Sequence, residues 1–271
     1  NKFCLKGIKM SNKKIFADKK GAIGWLVFNN PEKRNAISLD MAKMATQILD
    51  EFSNDDSIRV VILRGEGGKS FVSGQDISEF EKLRSTPEGI ANYEKITNGM
   101  YQGVRDLKKP SIAMIDGFCM GGGVALACAC DFRIATENSI FAVPAARLGI
   151  TYRPNFTRWV VETVGITYAK EILMTGMKFS AQEAKVMGLI NQLVEPDSIV
   201  QFLEEYGERL ANNAPLSVES SKVIIEEVGK IADNWDEEKC ISLMNMCSNS
   251  EDYKEGRRDF MEKRTPNFKG I

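Results

Sequence analysis

The chain has 271 residues and a mass of 30.2 kDa; 43% of its residues are hydrophobic and 27% charged, a globular composition large enough to bury a core without disulfide or metal staples. A net charge of −1 and a pI near 5.9 offer no basic footprint for nucleic acid and no attraction to an anionic membrane. There is no histidine at all, which removes the Ser-His-Asp triad, the Cys–His pair, His-based zinc sites and every imidazole base. Chemistry must run on carboxylates, Tyr, Lys, Arg, thiols or the backbone.

In chain order, Lys14–Asp18 and Ala22–Asn29 alternate like a hairpin that turns near Lys20-Gly21. A polar loop, Asn29 to Asn35, precedes Ser38, an N-cap for a helix presenting Met41, Met44, Ala45, Ile48, Leu49 and Phe52 on one face. Arg59–Leu63 reads as a buried strand and Gly65 to Gly74 as a glycine-rich loop. A helix is expected from about Pro87 to Leu107, ended by Pro110, and then a strand Ser111–Asp116. After it come the glycine cluster Gly117 to Gly123, a small-residue helix Val124–Cys130, and short strands Phe132–Ala135 and Ile140–Val143. Ser180 and Glu183 form a capping box for a helix stopped by Gly188, followed by a strand Leu189–Val194. From Asp197 onward the pattern is nearly all helical. Strands and helices alternate first and helices then run alone, which predicts an α/β core over 10–197 and a helical region over 198–271.

The six cysteines include no C-x-x-C pair, and Cys119, Cys128 and Cys130 lie in apolar sequence as small core residues. A reducing, cytoplasmic compartment is the expectation, with no membrane-length run and no signal-peptide pattern. Residues 1–9 precede Met10 and look unlike the rest, so targeting stays open at that end.

Two glycine loops carry the chemical interest: Phe71-Val72-Ser73-Gly74-Gln75-Asp76 and Gly117-Phe118-Cys119-Met120-Gly121-Gly122-Gly123. Glycines opening a helix leave free N–H groups unshielded by side chains, which suits an anion or a developing oxyanion. Taken alone, either loop reads first as a tight strand-to-helix turn. Gly68-Lys69-Ser70 imitates a phosphate loop, but the glycine needed five residues earlier is Leu63. The second loop lacks the G-x-G-x-x-G spacing of a dinucleotide site.

Together, Asn30-Pro31 with Asn35-Ala36-Ile37, Ser73-Gly74-Gln75-Asp76-Ile77, Gly117 to Gly123, Leu148-Gly149-Ile150, Gly188-Leu189-Ile190 and the run Lys254-Glu255-Gly256 to Asn267-Phe268 resemble, in order and spacing, the enoyl-CoA hydratase/isomerase (crotonase) family. The resemblance spans about Ile15 to Gly270. It implies a spiral of ββα units with a C-terminal helical region, homotrimers or dimers of trimers, and an acyl-CoA thioester as the ligand, with no further cofactor or metal and no nucleic-acid or membrane partner. By matching positions it implies that the backbone N–H groups of Gln75 and Gly122 form an oxyanion hole. It likewise implies that Ala36, Gly74, Asp76 and Ile77 wrap the adenine and pantetheine portions, and that Lys33, Arg34 and Lys263 lie near the CoA phosphates.

One departure matters. Hydratases of this family usually carry a glutamate two residues after the third glycine and another directly after the proline of the later strand; here those positions are Ala125 and Ala145. Tyr152 instead resembles, by position, the tyrosine of the family's malonyl-type decarboxylases. A phenol can protonate an enolate, and decarboxylation makes the enolate without an abstracting base. Tyr152 reads equally as a residue filling space beside two alanines. Of Arg147, Arg153 and Arg158, one could hold a substrate carboxylate, although such arginines more often make surface contacts. Three readings stay open: an enzyme of the hydratase/isomerase type, a malonyl-type decarboxylase, and an acyl-CoA binding protein without turnover.

Overall fold

A computed structural model describes residues 13–228 and 248–264, with isolated positions 238, 242, 245 and 266. Residues 1–9, Cys4, Cys240, Cys247 and the Asn267-Phe268 end of the C-terminal motif lie outside the described residues. The elements in order are β1 (Ile15–Lys20), β2 (Ile23–Phe28), α1 (Leu39–Asn54), β3 (Val60–Gly65), β4 (Ser70–Val72), α2 (Phe80–Leu83), α3 (Pro87–Arg105), β5 (Ser111–Ile115), β6 (Phe118–Met120) and α4 (Gly122–Ala129). They continue with β7 (Phe132–Thr136), β8 (Ile140–Ala142), α5 (Pro154–Thr175), β9 (Phe179–Ser180), α6 (Ala181–Val186), β10 (Gln192–Val194), α7 (Ile199–Ala211), α8 (Pro215–Val228) and α9 (Glu251–Glu262).

Two sheets result. The larger has the order β1-β2-β3-β5-β7-β10, parallel except for the β1-β2 hairpin; the smaller is β4-β6-β8-β9, with only β8-β9 antiparallel. Each pair β3/β4, β5/β6 and β7/β8 puts one strand into each sheet before a helix follows. The expected spiral of ββα units is therefore the observed architecture.

The central strands have no polar face because helices cover both sides, as parallel strands require. Successive residues of β2 serve two different cores. Leu26 and Phe28 join the main core with α1, α3 and α4, whereas Ile23, Trp25 and Val27 face the layer made by α7. Each such aliphatic or aromatic side chain contributes roughly 1.5–3 kcal/mol of burial. Ser38 caps α1 by accepting the Met41 N–H at 3.2 Å, and the Ser180/Glu183 capping box opens α6. Half-buried Lys222 ties α8 to the core through Asp131 at 3.0 Å.

The structure departs from the sequence pattern in places. The glycine-rich stretches are not only loops, since each holds a three-residue strand of the smaller sheet, β4 and β6. The strand expected at Leu189–Val194 begins at Gln192, because Leu189 and Ile190 close the α6 turn onto Ala184. The long helix α5 has no sequence signature: Gly165, at φ 74°, breaks it and with it the apolar period. No described helix is long and apolar enough to cross a membrane.

The motifs Leu148-Gly149-Ile150 and Lys254-Glu255-Gly256 interlock. Gly149 ends the 3-10 turn Pro144–Leu148 at φ 67°, and a methyl group there would lie 2.4 Å from the Asp252 carbonyl oxygen; one at Gly256 would lie 2.3 Å from that of Leu148. The two backbones touch, so neither position tolerates a side chain. Gly149→Ala is expected to lower the urea midpoint by an amount equivalent to about 2–3 kcal/mol, combining a strained positive φ with overpacking. An unchanged midpoint would show that α9 does not depend on this contact.

Candidate active site

Strands β4 and β6 pair in parallel, Ser70 beside Phe118 and Val72 beside Cys119, so the chain leaves both at the same end of the smaller sheet. The two exits are the loops Ser73–Asp76 and Gly121–Gly123. They are in contact: a methyl group at Gly74 would sit 3.5 Å from the Gly122 nitrogen, and one at Gly122 would sit 3.5 Å from the Gly74 Cα. A methyl at Gly122 would also lie 2.4 Å from Tyr101 Oη, and one at Gly123 2.0 Å from the Val72 carbonyl oxygen. Only glycine lets these segments approach so closely.

Gln75 makes a short parallel bridge to Ile37, in which the Ile37 N–H donates to Gly74 O at 2.8 Å and the Asp76 N–H donates to Ile37 O at 2.9 Å. That alternation turns the Gln75 N–H away from Ile37. Gly122 is the first residue of α4, where the N–H groups have no acceptor inside the helix. Among the described residues neither the Gln75 nor the Gly122 N–H has a hydrogen-bond acceptor. Two free donors thus lie on adjoining loops, one of them at a helix N-terminus that favours negative charge.

The loop carrying Lys33 to Ile37 is held by a fully buried Asn35. Its Oδ1 accepts the Asn30 N–H at 2.8 Å, and its amide donates to Glu66 O at 3.0 Å and Ser70 O at 2.7 Å. Arg34 and Asn35 both take the left-handed conformation, at φ 52° and 57°, which turns the chain so that Arg34 O accepts the Ser73 N–H. Lys33 Nζ meets Asp76 at 2.7 Å and Ser78 Oγ at 2.9 Å. Burial would raise the Asp76 carboxyl, but the hydrogen bonds from Lys33 and Ser78 outweigh it and hold it below its ordinary value. Lys33 therefore bridges the two loops. The Arg34 guanidinium stands 5.0 Å over the Phe118 ring, and Ala36 is buried beneath the turn. Ile77 opens the 3-10 turn after Asp76. Lys263 terminates α9 in a left-handed conformation, and no hydrogen bond, ion pair or ring contact among the described residues joins it to Lys33 or Arg34.

Ala125 and Ala145 are both buried in the main core. Tyr152 packs against Phe156, with ring centroids 5.5 Å apart, and its hydroxyl donates to Gly121 O at 2.8 Å. The Gly121–Gly122 peptide is trans, so this hydroxyl lies on the opposite side of the peptide from the Gly122 N–H. It fixes the plane of the donor rather than facing the space beyond it. Burial, above all, raises the phenol well past its ordinary range. Tyr152 also lines a groove of about 1550 Å³ between α5 and α8 that contains neither Gln75 nor Gly122.

Sequence reasoning missed the polar face of α3. Tyr93, Thr97 and Tyr101 recur every four residues and are all fully buried, and the Tyr93 and Tyr101 hydroxyls have no partner among the described residues. Each unpaired buried hydroxyl costs about 1–3 kcal/mol. Their spacing is visible in the sequence, but the pattern there predicts only a helix from about Pro87 to Leu107. Of the three clustered arginines, Arg158 pairs with Glu162 on the surface at 2.8 Å and Arg147 is exposed, whereas Arg153 turns inward to donate to Thr97 Oγ1 at 3.1 Å.

The family model described as enoyl-CoA hydratase/isomerase matches residues 18–271. The short-chain-enoyl-CoA hydratase of Clostridium acetobutylicum is 33% identical over 254 residues, covering 92% of this chain and 95% of that protein. Among solved structures, an enoyl-CoA hydratase/carnithine racemase from Magnetospirillum magneticum superposes with a TM-score of 0.78 at 32% identity, covering 96% of each chain. A methylmalonyl-CoA decarboxylase in complex with 2-nitronate-propionyl-CoA superposes with a TM-score of 0.87 at 27% identity, covering 96% of this chain and 99% of that one. With the ββα spiral and the paired glycine loops in place, the chain belongs to the enoyl-CoA hydratase/isomerase (crotonase) family.

Proposed function

We propose that this protein is an acyl-CoA enzyme that stabilises a thioester enolate, with the oxyanion held between the N–H groups of Gln75 and Gly122. The observation that carries this reading is the pair of acceptor-free backbone donors on loops in contact through Gly74 and Gly122. An enolate concentrates charge on one oxygen, and two fixed donors lower its energy without any titratable group. In this reading Ala36, Gly74, Asp76 and Ile77 line the path of the adenine and pantetheine portions. Lys33, Arg34 and Lys263 supply positive charge to the CoA phosphates, Lys33 sharing its charge with Asp76. Homotrimers or dimers of trimers are part of the proposal, supported by exposed apolar residues at Met174, Met177 and Val186.

The donor can be removed cleanly in a Tyr101→Phe background, which takes away the hydroxyl a new side chain at 122 would strike. There Gly122→Pro deletes the N–H at a helix position proline accepts. Turnover of the best substrate is expected to fall roughly 100- to 1,000-fold relative to Tyr101→Phe alone. A fall of less than threefold would refute the oxyanion role.

A second reading, malonyl-type decarboxylation with Tyr152 as proton donor, is favoured by the buried alanines at 125 and 145. It is also favoured by the closer superposition on the decarboxylase than on the Magnetospirillum structure. Loss of CO2 forms the enolate directly, and apolar walls withhold water from the carboxylate. Proton delivery would require the Tyr152 hydroxyl to leave Gly121 O. Mass spectrometry on crotonyl-CoA and methylmalonyl-CoA separates the two readings by gain of water or loss of CO2. If the second holds, Tyr152→Phe slows CO2 release at least tenfold while CoA affinity is kept; equal rates would remove Tyr152 from the chemistry.

A further inference from the structure

Arg153 and the α3 face form a polar patch that the proposed enolate chemistry does not use. Tyr101 Oη lies against Gly122, its ring 4.5 Å from that of Phe156, and its hydroxyl is unpartnered. Over the same Phe156 ring, at 5.4 Å, stands the Arg153 guanidinium. Thr97, four residues before Tyr101, accepts from Arg153 and donates to the Tyr93 carbonyl oxygen at 2.9 Å. The patch therefore begins at Gly122 and runs along α3 for about one turn, roughly 6 Å.

Charge is unbalanced at its far end. Glu94 is taken by Arg84 at 3.5 Å, the Glu79 carboxylate accepts the Leu39 N–H at 2.8 Å, and Asp76 holds Lys33. Among the described residues no carboxylate comes within ion-pair distance of Arg153, which donates instead to Thr97 Oγ1. A guanidinium offers five donors, and the attraction of Glu94, itself paired with Arg84, reaches Arg153 only from beyond ion-pair distance. Burial, more than any other influence, pulls it below the ordinary arginine range. Phe156, Tyr101 and Tyr93 flank it with apolar surface, so an anion reaching it would be sheltered from water.

We infer that this protein takes thioesters whose acyl chain bears a carboxylate, bound by the Arg153 guanidinium, the chain running from Gly122 past the Tyr101 hydroxyl. This rests on the acyl-CoA reading above and names its substrate class: short dicarboxylyl thioesters, in preference to plain fatty acyl ones. A planar guanidinium meets a carboxylate through two parallel N–H donors, which lysine cannot reproduce.

The test is calorimetric binding of matched pairs, succinyl- against butyryl-CoA and glutaryl- against pentanoyl-CoA. The wild-type protein is expected to bind the carboxylated member of at least one pair ten times more tightly or better. Arg153→Gln should bring the ratio to within about threefold of one, and Arg153→Lys should leave it intermediate; retained butyryl-CoA binding shows that the variants are folded. Equal affinities within both pairs for the wild type, or an undiminished preference in Arg153→Gln, would overturn the inference while leaving the acyl-CoA reading standing. Failure of the wild type to bind any of the four would overturn both.

Discussion

The candidate site depends on one constraint: the backbones at Gly74 and Gly122 are in contact. Parallel pairing of β4 with β6 delivers the two loops to one end of the smaller sheet, and small residues allow the final approach. Two N–H groups are then left without internal acceptors. An unsatisfied donor near the protein interior is normally a cost, and the proposed function turns that cost into a receptor for negative charge. The same contact governs what stands behind the donors, since Tyr101 presses on the Gly122 Cα and Tyr152 holds the carbonyl side of the Gly121–Gly122 peptide.

Support for that contact comes from elements far apart in sequence. Asn35 connects its own loop to Glu66 and Ser70, Lys33 reaches Asp76, and Ile37 brackets Gln75 on both sides. Residues 30–37 therefore act as a clamp on residues 66–78. Fixed donors are effective catalytically because they need not reorganise as charge develops, and such a clamp is how a loop acquires that rigidity.

Ala125 and Ala145 stand where the family resemblance would place two carboxylates, and both are buried among apolar side chains. Polar groups gather instead on α3 and at the start of α5, at Tyr101, Thr97 and Arg153. Chemistry that starts from a charged acyl group and needs no abstracting base suits that division. The absence of histidine fits the proposed function, whose donors are backbone groups.

Much was legible from the residues alone. Alternation gave the β1-β2 hairpin, apolar runs gave the central parallel strands, and capping residues gave the starts of α1 and α6. The family resemblance, carried by motif order, implied Gln75 and Gly122 as a donor pair, and the glycines needed for close backbone approach are the part of it written locally. Pairing of β4 with β6 left almost none, since three-residue strands carry too little pattern to separate from loops. The length of α5 was hidden by Gly165. Ala125 and Ala145 could be named but not placed. The direction of the Tyr152 hydroxyl, the inward turn of Arg153 among three neighbouring arginines, and the unpartnered Tyr93 and Tyr101 hydroxyls come only from tertiary packing. Side-chain aim depends on contacts between segments distant in the chain, whereas the need for glycine, a cap or an apolar face is written locally.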